Sequence, residues 1–404
     1  MLDNPRKCRA AGATTFDVAR AAAVSRVTVS RVLNDHRNVT DEVRQRVLQA
    51  AADLGYISQK STTSQISADG GPTPKRPVRV LRNIGFFFAS VHGQEPFTGN
   101  PFWSPVLHGV EQEATAAGIA VTYRSINQWV DQPDALPEAV RTARVDGILL
   151  VGPATEATAR ALLGAERPLV LVDNCVPTER IDAVLSDNFG GARSAVAHLV
   201  ELGHRQVAFV GGPFRESAPP ATHRSNTIWS IEQRALGYLI ALREAGIQPD
   251  DRLYEGGNLS TADGYRACQR LLAAGRPFTA IFCANDESAV GAMRALHEAG
   301  LRVPGDVSVV GFDDIEVAQH LIPPLTTVRV DKEAIGAWAV QRLLARALAP
   351  GAVAATVALH VELIRRETVA APAPALGRAC RHISESNMSP VRRSRSTIST
   401  TTRR

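Results

Sequence analysis

From Arg82 onward, short apolar runs alternate with amphipathic helical stretches, and this alternation leaves few folds open to the chain. Strands are predicted at Ile84–Phe88, Ile119–Thr122, Gly147–Val151, Leu169–Asp173, Ala183–Ser186, Gln206–Val210, Ala280–Cys283 and Val307–Val310. Between them a 3.6-residue apolar period predicts helices over Pro105–Ala117, Gly191–Leu202, Glu232–Ala245, Thr261–Ala274 and Glu287–Ala299. Strands this apolar need cover on both faces, which helix-flanked parallel sheets provide. The expected fold is α/β with parallel sheets, its ligand held by loops at strand C-terminal ends such as Gly211-Gly212-Pro213.

The first part of the chain follows another rule. From Thr14 to Tyr56 three short helices are predicted; Val43, Val47, Ala50, Ala51 and Leu54 line one face of the third. Thr14 or Thr15, Ser25 and Thr40 are placed to cap these helices, Asp41 and Glu42 suit the dipole of the third, and Gly55 ends it. The Ser/Thr/Gly/Pro-rich segment after Gln59 reads as a linker. The expected organisation is a disordered start (1–13), a three-helix head (14–58), a linker (59–82), an α/β body (83–369) and a disordered basic tail (370–404).

Charge separates these parts. The formal net charge is only +5, but residues 1–76 hold 12 Lys/Arg against 7 Asp/Glu, and residues 371–404 hold seven Arg and one Glu. The body between them carries −6. A basic head on an acidic body points to a polyanion at the head and a different ligand at the body. The five cysteines are scattered with no C-x-x-C pair, so neither a disulfide framework nor a metal site is expected. No apolar run approaches the ~20 residues of a membrane span, and no apolar core follows the basic N-terminus, so the expected location is the cytoplasm.

Within the head, Thr14 to Asn34 places two helices across a tight turn, with Val18, Ala19, Val24, Val29 and Val32 as a shared core. That leaves Ser25, Arg26, Val27, Thr28, Ser30 and Arg31 on the outer face of the second helix. Arg26 or Arg31 can donate two hydrogen bonds to guanine O6 and N7, the alternative for each being a phosphate clamp; Val27 can only touch a thymine methyl. Ser25, Thr28, Ser30, Asn34 and Thr40 suit phosphate contacts. The string Thr15-Phe16-Asp17-Val18-Ala19 through Val29-Ser30-Arg31-Val32-Leu33-Asn34 resembles the DNA-binding head of the lactose-repressor (LacI/GalR) family. Ala23 stands where that family has glycine, an exchange that argues against a left-handed backbone there. The linker also departs from the family's hinge helix, with Ile66 as its only candidate minor-groove wedge.

The resemblance continues through the body, carried by Asn100-Pro101-Phe102-Trp103, Arg234-Ala235-Leu236-Gly237-Tyr238, Cys283-Ala284-Asn285-Asp286-Glu287 and Val310-Gly311-Phe312-Asp313-Asp314. It implies a two-lobed, periplasmic-binding-protein-like effector domain, its lobes joined by three crossings near Ser186, Arg329 and Thr356. It also implies a sugar-type ligand in the cleft. Asp173, Arg234, Asn285 and Asp313 are the groups expected to hold it, because carboxylates accept from neighbouring hydroxyls while Arg and Asn donate. Phe102 offers a ring face or belongs to the core, and Leu259 replaces an aromatic that often stacks on the ligand. Asp286 and Asp314 are expected to cap helices, and capping is the alternative role for Asn285.

Catalytic motifs are missing: there is no Gly-x-Ser-x-Gly, phosphate-binding Gly-rich loop or H-E-x-x-H. The expected protein is therefore a ligand-controlled transcriptional regulator without catalytic residue, metal or cofactor. It would act as a homodimer on a pseudo-palindromic double-stranded DNA operator. A sugar-binding module with no DNA role and a glycosidase using Asp173 and Asp313 are the alternatives.

Overall fold

The structure is a computed structural model that describes residues 15–25, 28–29, 32, 40–53, 80–90, 99–129, 132–212 and 228–373. Two units separate, Met1–Lys75 and Arg76–Arg404. In the first, helices α1 (Thr15–Ala21) and α2 (Asp41–Asp53) flank helical backbone at Thr28, Val29 and Val32. Val18, Ala19, Ala22, Val29, Val32, Val47, Ala50 and Ala51 bury one another, with Val24 and Val43 partly covered. That is the small core the apolar spacing predicted. Ala23 takes φ 53°, so the turn keeps its left-handed backbone without glycine, contrary to expectation. The residue's small methyl keeps the steric cost of that conformation to about 1–2 kcal/mol.

In the second unit, β1 (Asn83–Phe88), β2 (Ala120–Ser125), β3 (Gly147–Val151), β4 (Leu169–Val172) and β5 (Asp182–Ser186) pair in parallel in the order β5-β4-β3-β1-β2. Every residue of β3, β4 and β5 is buried, as apolar strands covered by helices on both faces must be. The chain then leaves this lobe. Helix α6 (Asn188–Glu201) follows helices α3 (Trp103–Ala116), α4 (Leu136–Ala143) and α5 (Glu156–Leu163) of the first lobe, and leads into β6 (Val207–Val210). The second lobe's sheet orders β7 (Tyr254–Glu255), β6, β8 (Ala280–Cys283) and β9 (Ser308–Val310), again all parallel. Its helices are α7 (Trp229–Glu244), α8 (Thr261–Ala273) and α9 (Asp286–Glu298).

Three crossings join the lobes. The first follows Ser186, where β5 ends. The second is β10 (Thr327–Arg329), after which α10 (Lys332–Leu348) packs on α3 of the first lobe. That contact is tight at two glycines: a Cβ on Gly109 would strike the Glu333 carbonyl, and one on Gly336 the Val106 carbonyl. The third crossing lies later than expected. Thr356 opens β11 (Thr356–Leu359), a sixth strand of the first sheet beside β5, and the chain crosses only afterwards, in β12 (Glu362–Ile364). Strands β10 and β12 pair antiparallel, so the second and third crossings form one ribbon.

Both sheets change strand direction of addition between their first and third strands, β1/β3 in one lobe and β6/β8 in the other. Ligands of open α/β sheets bind beyond the strand C-termini at such points. Among the described residues no helix is long and apolar enough to cross a membrane.

Candidate functional site

Residues from both lobes converge on a cavity at those switch points. Phe102 and Trp103 lie beyond β1 and Pro153 beyond β3, while Asn285 lies beyond β8 and Asp313 beyond β9. All six effector residues expected from the sequence (Phe102, Asp173, Arg234, Leu259, Asn285 and Asp313) line it.

Arg234 is the centre of the site. It stands in α7 and is only 2% exposed, so its charge requires partners. Nε donates to Asn188 Oδ1 at 2.8 Å, and Nη1 donates to the Ala284 carbonyl at 2.6 Å. The guanidinium carbon lies 3.8 Å from the centroid of the Phe312 ring, a cation–π contact in a desolvated place. Nη1 is also 3.0 Å from Asp313 Oδ1. One Nη1 hydrogen goes to Ala284; the pair with Asp313 is close in charge, but no hydrogen bond of good geometry reaches Asp313 Oδ1 among the described residues.

Asp173 Oδ1 is in the same condition, buried without a donor. Burial pushes the Asp173 carboxyl up to about 7; Arg234, Ser230 and Asn188 pull it down, while the charge of Asp313 adds to the rise. Burial also raises Asp313, against the pull of Arg234 and Lys332. Both aspartates hold left-handed backbone, φ 52° at Asp173 and 104° at Asp313, a costly conformation that persists where the surroundings over-determine it. Two buried acceptor oxygens on residues that line one cavity are complementary to a ligand that brings hydrogen-bond donors.

Asn285 plays a different part. Its Oδ1 accepts from Ser288 N and caps α9, while Nδ2 donates to the Leu259 carbonyl at 2.8 Å. It thereby holds Leu259, itself at φ 66°, against the cavity. Phe102 is both core and lining: 8% exposed, it meets Trp103 edge-on with centroids 4.7 Å apart. The capping expected of Asp286 and Asp314 does not occur. Asp286 Oδ1 accepts from Thr327 Oγ1 at 2.5 Å and Oδ2 from Ile315 N at 2.9 Å. Asp314 instead pairs with Arg329 and Arg366 at 2.8 and 2.7 Å. These acids are spent on the crossings because the chain brings Thr327, Arg329 and Arg366 back beside them. Sequence reasoning also missed Asn188 and Ser230, whose roles depend on packing partners 46 and 57 positions from Arg234 and Asp173.

In the head, Ser25 Oγ accepts from Thr28 N at 3.1 Å and shares a hydrogen bond with Thr28 Oγ1. Ser25 therefore caps the second helix, as expected of it, with its side chain exposed. Thr40 is exposed just ahead of α2. Arg26, Val27, Ser30, Arg31 and Asn34 lie outside the described residues.

A helix-turn-helix head followed by a two-lobed body with a ligand cleft defines a ligand-responsive DNA-binding regulator. Residues 14–59 match the family "Bacterial regulatory proteins, lacI family", and residues 196–369 match the "Periplasmic binding protein-like domain". The chain is 30% identical over 359 residues to the HTH-type transcriptional repressor PurR of Mannheimia succiniciproducens, covering 88% of this chain and 98% of that one. It is also similar to the transcriptional regulator CelR in its cellobiose complex (TM-score 0.64, 29% identity, 88% and 100% of the two chains). A second similar structure is the Lac repressor dimer bound to operator and the anti-inducer ONPF (TM-score 0.61, 30% identity, 89% and 100%). The chain belongs to the LacI family. It is a DNA-binding transcriptional repressor under small-ligand control, and not an enzyme.

Proposed function

We propose that this repressor binds a pseudo-palindromic operator as a homodimer and that a neutral, hydroxyl-rich ligand of the sugar class, held between its lobes, sets its operator affinity. The observation that carries the ligand reading is the pair of donorless buried oxygens, Asp173 Oδ1 from one lobe and Asp313 Oδ1 from the other. A polyol lying between them brings hydroxyl donors to both at once. An anionic ligand would meet two carboxylates, beside an Arg234 that already donates to Asn188 and the Ala284 carbonyl. The similar CelR structure holds cellobiose, a ligand of this kind.

On the DNA side, Arg26 and Arg31 are the base-reading candidates and Val27 a thymine-methyl contact. Ser25, Thr28, Ser30, Asn34 and Thr40 position the head on phosphates. Two-fold pairing matches the protein to two half-sites, since one head reads too few base pairs. Ligand closure moves the lobes and shifts operator affinity by a coupling of about 1–3 kcal/mol. A mobility-shift assay on the DNA flanking its own gene, with a panel of neutral, amino and phosphorylated sugars, tests this reading. Binding that a neutral sugar changes supports it; a response confined to phosphorylated sugars, or no shift of any duplex, overturns it.

A further inference from the structure

Helix α10 begins with a cation, Lys332, where the helix dipole favours an acid. The side chain is turned away from its helix. Its ammonium donates to three backbone carbonyls: Asp313 O at 2.6 Å, Asp314 O at 3.2 Å and Val330 O at 3.3 Å. Asp313 and Asp314 are consecutive non-glycine residues at φ 104° and 49°, so the loop carrying a cleft carboxylate is held in strain. Lys332 grips that loop from the first turn of the helix whose next residues, Glu333 and Gly336, are in the closest contact with α3 of the other lobe. Helix α3 in turn starts at Trp103, on the opposite wall of the cleft.

We infer that Lys332 is a positioning residue: it fixes the strained Asp313–Asp314 loop for the effector and ties occupancy of that loop to the crossing and helix that carry the first lobe. The inference rests on the effector reading of the cleft. An ammonium suits the task because its three N–H groups satisfy three carbonyls that otherwise point at one another. The backbone bond from Asp313 N to Val328 O at 2.8 Å and the Asp314 pairs with Arg329 and Arg366 hold the same loop to β10 and to the chain after β12. Only Lys332 reaches it from α10 among the described residues. A ligand donor that draws Asp313 into the cleft therefore pulls on the α10 N-terminus, and a shift of α10 with α3 moves Asp313.

Two substitutions in the full chain separate this role from general stabilisation. Lys332→Met keeps the stem and removes the donors, while Lys332→Arg keeps donors. In ligand-free protein, hydrogen–deuterium exchange at the amides of Asp313 and Ile315 should quicken by about tenfold in Lys332→Met, stay near wild type in Lys332→Arg, and be unchanged at Ile281 and Phe282 in the β8 core. Unchanged exchange at Asp313 and Ile315 overturns the inference, and so does equal acceleration in β8. The coupling is then read on a duplex that the wild-type chain selects from a random library, with D-ribose and cellobiose as probes. Lys332→Met should bind the duplex as wild type does without sugar, yet need about tenfold more sugar for the same change in binding. A wild-type sugar response in Lys332→Met overturns the inference. If neither sugar acts on the wild type, the sugar reading fails, while the exchange measurement still decides the clamp.

Discussion

Asp173→Asn is expected to stabilise the ligand-free protein, by an amount that grows with pH. The carboxyl is raised by burial from 3.8 to about 7 in the folded chain. Between those values the folded state keeps a proton that the unfolded state has lost. The group's contribution to stability is thus whole below 3.8 and is lost as the pH climbs through 7. Three pH units at about 1.4 kcal/mol each make the loss about 4 kcal/mol near pH 8, about 1–2 kcal/mol near pH 5 and close to zero near pH 3. An uncharged isostere escapes that loss. The difference in unfolding free energy between variant and wild type, from urea titrations at the three pH values, should therefore rise along this series. Near pH 8 the melting temperature of the variant should be higher by about 8 °C, at about 2 °C per kcal/mol for a body of this size. A difference that stays flat with pH would refute the reasoning, since it would mean that Asp173 titrates alike in the folded and unfolded chain. The same proton governs the ligand. Hydroxyl donors favour the ionised form, so effector affinity should weaken by up to about tenfold per pH unit below 7, and Asp173→Asn should remove that dependence.

Three further outcomes are expected. Arg31→Ala should lower operator affinity by about 1–3 kcal/mol and relax preference at one base pair per half-site, as read by binding to a set of single-base operator variants. Ala23→Gly should stabilise the head by about 1 kcal/mol, visible in its thermal unfolding, because glycine adopts the φ 53° turn without the clash of a Cβ. Deleting 371–404 should leave the melting temperature within about 1 °C, whereas ending the chain before Thr368 should cost more than about 2 kcal/mol, since Thr368 bonds Val309 at 2.6 Å and Thr326 at 2.9 Å in a buried place.

The layered α/β architecture and the head were legible in the chain itself, for reasons that are local, whereas the six effector residues expected to line the cavity came from the likeness of their motifs to the LacI family. Strands such as Gly147–Val151 and Ala280–Cys283 are continuous apolar runs, and periodicity placed them to the residue. The valines and alanines of the head recur at helical spacing, so their burial together in one core follows from the pattern. The short strands β10 and β12 were not visible as strands, because two or three residues of ladder leave no period to read. The position of the third crossing was misjudged for a related reason: β11 alternates exposed and half-buried residues at a sheet edge, and only its pairing with β5 shows to which lobe it belongs.

What sequence alone determined is the kind of protein: residue types at short spacing define helices, strands and the helix-turn-helix, and these need no distant partner to be recognised. What only the tertiary structure decided is the state of each charged group. Asp286 and Asp314 read as caps because an acid beside a helix start usually is one, yet Thr327, Ile315, Arg329 and Arg366 claim them in the fold. Asp173 and Asp313 look like ordinary strand-end acids in the chain, and the fold buries both beside one arginine that also donates to Asn188 and the Ala284 carbonyl. Desolvation and hydrogen-bond direction depend on atoms tens to hundreds of residues away, so the chemistry of the cleft emerges only when both lobes are in place.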